Sequence, residues 1–135
     1  MQVKMWHVSV MPGTRRIQIA KKGRAPKRSP CPVAYSLDIF GDRWTLLVIR
    51  DLFFGRTRFK DFAASPESIP TNILTERLQR LLARGIIERI PAEDGTKRMA
   101  YRLTKKGKAL GPILKAMRDW GLAWDKSTRV QILRK

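Results

Sequence analysis

Apolar residues recur every three or four positions in four stretches of the chain. They fall at Trp44, Leu47, Val48 and Leu52; at Ile73, Leu74, Leu78, Leu81 and Leu82; and at Leu110, Ile113, Leu114, Met117, Trp120 and Trp124. A shorter example is Val33 to Phe40, directly after Pro32. This spacing predicts amphipathic helices over 33–40, 43–54, 71–84 and 105–126. A fifth, short helix is expected over 58–64, with Phe59 and Phe62 facing inward. Gly41, Gly55 and Gly85 stand where helices should stop, and Ser65 to Pro70 is rich in helix breakers. Asp42, Thr71 and Thr104 are placed to cap the helices that follow them. Gly111-Pro112 predicts a kink or a restart in the last helix. Two runs change period: Ile86–Ile90 and Met99–Thr104 read as strands around a polar turn with an Asp94-Gly95 signal.

The predicted order is helix, helix, short helix, turn, long helix, β-hairpin, helix. It describes a mainly α fold with a small β-hairpin wing, the winged helix-turn-helix (α+β). In such a unit the second helix of the pair enters the major groove of DNA. The apolar stripe of 71–84 leaves Thr71, Asn72, Thr75, Glu76, Gln79 and Arg80 for the opposite face. Asn and Gln suit adenine edges, Thr suits a thymine methyl, and Glu accepts from cytosine. Any surface helix has a polar face, so this reading draws on the turn before it and the hairpin after it. Lys97 and Arg98 leave the hairpin turn where a wing meets phosphate or a minor groove. Arg56, Arg58 and Lys60, around the start of the short helix, are candidate backbone contacts.

Charge sharpens the picture. The 135 residues carry 29 Lys+Arg against 11 Asp+Glu, a formal net charge of +18. So basic a chain is suited to a polyanion, because lysine and arginine release its condensed counterions. Residues 1–30 hold eight of the cations and no acid. They read as a mostly disordered basic arm, either a nucleic-acid contact or an inert extension, with a short strand or helix over Val3–Val10. The folded domain is expected over 31–126, with a basic tail over 127–135. One cysteine, Cys31, forbids an intrachain disulfide and suits a reducing cytoplasm. No apolar run is long enough to cross a bilayer, so no membrane association is expected. His7 is the only histidine, and no glycine-rich phosphate loop follows a strand. An enzyme, a metal site and a cofactor are therefore not expected. The competing class is a non-specific nucleic-acid binder of nucleoid or RNA type.

The segments 31–52 (CPVAYSLDIFGDRWTLLVIRDL), 58–62 (RFKDF), 69–78 (IPTNILTERL), 101–110 (YRLTKKGKAL) and 117–121 (MRDWG) closely resemble HxlR-type bacterial transcriptional regulators, in order and at family spacing. The resemblance covers roughly residues 31–124. It implies a homodimer that binds double-stranded DNA at a pseudo-palindromic operator and regulates nearby genes, with repression the expected outcome. It also implies a dimer interface on the first and last helices. Here these are Val33–Phe40 and the face carrying Leu110, Ile113, Leu114, Met117, Trp120 and Trp124, part of which is equally suited to an internal core. Some members sense small electrophiles or oxidants through a cysteine at the position of Cys31. Lys27 and Arg28 nearby would favour its thiolate, although the same cysteine also fits a packing role. Two features depart from the family pattern: the long basic arm, and Pro70-Thr71 where many members have a serine-like cap.

Overall fold

The computed structural model describes residues 29–130 apart from 94, 96 and 97. The basic arm up to residue 28, with the Val3–Val10 element, lies outside the described residues, as do Lys97 and the last five residues of the tail. The chain divides after Asp42 into two units. Among the described residues the first contains one helix, α1 (Pro32–Phe40). Proline at the first helical position has no N–H to leave unpaired, and its fixed φ already suits the helix. Cys31 stands at the cap position, and its carbonyl accepts from Tyr35 N at 3.0 Å.

The second unit contains α2 (Thr45–Phe53), α3 (Phe59–Ala63), α4 (Thr71–Ala83), β1 (Ile87–Pro91), β2 (Met99–Leu103), α5 (Lys105–Lys108) and α6 (Gly111–Trp124). The core takes Val48 and Leu52 of α2 and Leu74, Leu78 and Leu81 of α4 from the stripes anticipated above, with Ile49 of α2 added, while Trp44, Leu47, Ile73 and Leu82 are half-buried. Phe62, Ile69, Ile86, Ile87, Ala92, Ala100 and Leu103 complete it. β1 and β2 form an antiparallel pair in the register Ile87↔Leu103, Arg89↔Tyr101 and Pro91↔Met99. α2 packs on β2, and α4 packs on β1 and α3.

Several boundaries differ from expectation for identifiable reasons. α2 begins at Thr45, with Trp44 rather than Asp42 at the cap position. Residues 42–44 form a turn, and the Trp44 carbonyl accepts from both Leu47 N and Val48 N. Thr71 does not cap α4 but is its first residue. Pro70 occupies the cap position with an extended backbone, and its carbonyl accepts from Leu74 N at 2.9 Å. Phe59 is exposed. It opens a helix of five residues whose one buried side chain is Phe62. The last helix is two: Gly111-Pro112 does restart it.

Both ends of α4 are fixed. At its C-terminus Gly85 adopts φ +71°, the left-handed conformation that glycine reaches without strain. Gly85 N bonds to Leu82 O and Ile86 N to Leu81 O, and buried Ile86 and Leu81 close this Schellman motif. Thr104 caps α5 by accepting from Gly107 N at 3.2 Å, and its hydroxyl also donates to Gly85 O at 2.6 Å. Lys106 Nζ donates to Arg84 O at 2.8 Å. Gly107 is required here, since a Cβ on it would lie 2.2 Å from the Ile86 carbonyl oxygen.

Ahead of α4, the buried Asp51 carboxylate accepts from Arg50 Nε at 3.1 Å, from Arg50 Nη2 at 2.9 Å and from Ser65 Oγ. Arg50 also holds Glu67 with two bonds, Nη1 to Oε2 at 2.9 Å and Nη2 to Oε1 at 2.8 Å. Ser65 and Glu67 both belong to the breaker-rich turn, so this network pins the turn to α2. The bonds from Glu67 foremost, with those from Asp51, hold the Arg50 guanidinium firmly protonated. Arg50 in turn holds the Glu67 carboxyl below its ordinary 4.5. A carboxyl depressed by folding stabilises above its unfolded value, and that contribution disappears as pH falls through the lower folded value.

Removing the cation leaves a buried carboxylate uncompensated, whereas removing the partly exposed Glu67 does not. In urea unfolding at pH 7, Arg50→Met should cost about 3 kcal/mol or more, and Glu67→Gln only about 1 kcal/mol. The gap between wild type and Glu67→Gln should close as the pH is taken down past 4.5. Equal losses in the two variants would remove Asp51 as the centre of the network.

Candidate nucleic-acid interface

α3, the pinned turn and α4 form a helix-turn-helix, and the β1–β2 hairpin follows at once. On α4, Asn72, Thr75, Glu76 and Gln79 are exposed and Arg80 is partly so, while Leu74, Leu78 and Leu81 are buried. The residues expected to read DNA therefore share one solvent face. They are not all free on it. Glu76 Oε1 accepts from Arg80 Nη2 at 2.9 Å across one helical turn, and Glu76 also pairs with Arg77. An acid facing a polyanion is repelled, and these arginines offset its charge. Thr75 Oγ1 donates to Thr71 O at 2.9 Å, so its hydroxyl hydrogen is committed to its own helix.

Pro70 changes the start of α4. With no side-chain cap there, the first N–H groups of the helix lack the partner expected from Thr71. Such N–H groups, at the positive end of the helix dipole, are suited to an anion. The sequence signal for this feature is the proline itself, whose side chain cannot accept a hydrogen bond.

The proposed backbone cations divide. Arg56 Nη1 donates to Asp61 O at 2.9 Å and so staples α3. Arg58 holds the cap position of α3, where its N–H donates to Asp61 Oδ2 at 3.1 Å and its side chain is half-buried. Lys60 is exposed. In the hairpin Gly95 has φ +74° and Arg98 is exposed, whereas Lys97 lies outside the described residues. An ion pair that periodicity could not show, Arg102 Nε to Glu88 Oε1 at 2.5 Å, crosses the two strands.

α6 presents a different surface. None of its residues is buried: Leu114 is half-covered, Ile113 is exposed, and Met117, Trp120 and Trp124 are exposed at 54%, 69% and 74%. Leu110, just before it, is half-covered. In the first unit Val33 and Leu37 of α1 are exposed, and Cys31 is half-exposed. Among the described residues no helix is long and apolar enough to cross a membrane, and no three His, Cys, Asp or Glu side chains group as metal ligands.

A helix-turn-helix whose second helix exposes a polar face, followed by a hairpin wing, is the DNA-binding fold of a transcriptional regulator. The description of the HxlR-like helix-turn-helix family matches residues 39–129, and the chain belongs to that family. It is 34% identical over 101 residues to the HTH-type transcriptional regulator YybR of Bacillus subtilis, covering 75% of this chain and 81% of YybR. Among solved structures, PA1607 superposes with a TM-score of 0.70 at 41% identity, covering 81% of this chain and 78% of that one. The redox regulator HypR in its oxidized form superposes with 0.62 at 33% identity, covering 75% and 100%.

Asn72→Ala and Gln79→Ala should each lose about 1–3 kcal/mol of discrimination at particular base pairs. Arg98→Ala should weaken all sequences nearly alike and lower the salt slope by about one unit. Binding arrays run at several salt concentrations would check this. If the helix variants behave like the wing variant, α4 is not the reading element.

Proposed function

We propose that the protein is a cytoplasmic, homodimeric transcriptional repressor that occupies a pseudo-palindromic operator of double-stranded DNA. The observation that carries the dimer is α6, an amphipathic helix whose apolar face is exposed from Ile113 to Trp124. Contiguous apolar surface of this kind marks an interface. Two copies joined there would present two α4 helices related by a twofold axis, which calls for two half-sites. Repression is the simplest outcome of occupying promoter DNA. In the reading-face model Asn72 and Gln79 contact bases, Glu76 and Arg80 act as a pair, and Arg98, Lys60 and the α4 N-terminus meet phosphate.

Light scattering should give twice the chain mass, and footprinting should protect half-sites about 10 bp apart or a multiple of that spacing. Because neither residue is buried, Met117→Glu with Trp120→Glu should yield a monomer whose helix-turn-helix and hairpin stay folded, with weakened operator binding. A monomeric wild type, or a specificity ratio near one on random DNA, would favour the general nucleic-acid binder instead.

Cys31 is the residue proposed to receive an oxidant or electrophile. Its place at the head of the family segment, its partial exposure and the likeness to the redox regulator HypR support this reading. Treatment with a mild oxidant or a quinone should release operator DNA from the wild type and leave Cys31→Ser bound. Equal loss in both would assign Cys31 to packing.

A further inference from the structure

A groove of about 380 Å³ lies between the end of α2, the loop before α3, β2 and α5. That volume falls in the range that holds small ligands. Its floor is apolar, made by Leu52 and Leu103, and aromatic side chains of Phe53 and Tyr101 contribute to its walls. Its charged lining is of one sign: Arg102 and Lys108, with no aspartate or glutamate. Glu88 reaches Arg102 only at Nε, and the Nη groups carry no bond to it, so an open fork remains. Such a fork matches a carboxylate with two parallel hydrogen bonds. No residue of α4 lines the groove, so it is distinct from the DNA-reading face.

We propose that this groove binds a small aromatic carboxylate, its ring between Phe53 and Tyr101 and its carboxylate on Arg102 and Lys108. The position suits an effector. Thr57, at the groove wall, accepts through its carbonyl from Tyr101 N at 2.8 Å, which ties the wing strand to the loop leading into the helix-turn-helix. On the other side, the Phe53 ring lies 3.4 Å from where a Cβ on Gly111 would stand, at the start of α6. An occupant therefore touches both the strand that carries the wing and the ring that supports the last helix.

The proposal goes beyond the operator reading and is tested without DNA. Calorimetric titration of the full chain with 2-naphthoate should show one site per chain. The neutral isostere 2-naphthalenemethanol should bind about tenfold or more weakly, the loss expected when a charge-assisted hydrogen bond is removed. Arg102→Gln combined with Lys108→Gln should lose the same factor for naphthoate, and amide shifts should centre on Thr57, Tyr101 and Leu103. If the double variant melts early, the acid-against-alcohol comparison in the wild type decides alone. No naphthoate binding, equal binding of acid and alcohol, or equal displacement by inorganic phosphate would overturn the proposal. So would a naphthoate-driven change from dimer to monomer, which would make the groove a surface for a second copy.

Discussion

A carboxylate withdrawn from water must receive its hydrogen bonds from the protein, and Asp51 takes them from two places in the chain. Arg50 is its neighbour on α2, and Ser65 comes from the turn before α4. The fork of Arg50 that is left over grips Glu67, two residues further along that turn. An apolar contact would have allowed the turn to slide, whereas this network has one register. The entry of α4 is thus set by a charge buried in the neighbouring helix.

The exit is set by different means. Backbone geometry at Gly85 ends the helix, and the corner at Thr104 and Gly107 holds the Gly85 and Ile86 carbonyls from the far side of the hairpin. Base contacts tolerate little displacement of the side chains that make them, and a helix of 13 residues anchored at one end alone would pivot. With both ends held, the exposed face of α4 becomes a fixed pattern of donors and acceptors, and the wing keeps a constant relation to it. The close approach at Gly107 shows how much of that precision rests on the absence of a single methyl group.

The helices were legible because their apolar residues both repeat at the helical period and fill the core, so pattern and cause coincide at Leu74, Leu78 and Leu81. The hairpin was legible from a change of period around Asp94-Gly95. Caps were read less well. Asp42 and Thr71 have the right chemistry, but a cap needs a backbone conformation one residue before the helix, and a turn at 42–44 and Pro70 decided that instead. Phe59 has helical spacing with Phe62, yet a five-residue helix has one covered side. Side-chain pairings such as Arg50 with Glu67, 17 residues apart, or Arg102 with Glu88 leave no periodic trace. The exposed face of α4 follows from its periodicity, but the sharing of Glu76 between Arg77 and Arg80 depends on side-chain rotamers that periodicity does not fix.

The last helix raises a matter of definition. α6 has 14 residues and buries none of them, and a helix of that length is marginal in water on propensity alone. Beyond the support of Phe53 at its start, a second copy covering its apolar face would add to its order in the proposed dimer. For such an element the folded state of one isolated chain is an incomplete thermodynamic object. In the proposed dimer its ellipticity and melting temperature would depend on protein concentration, because dilution would remove the cover that supports the helix. Stability measured on such a dimer would in part be an association constant, and variants would be compared at matched concentration.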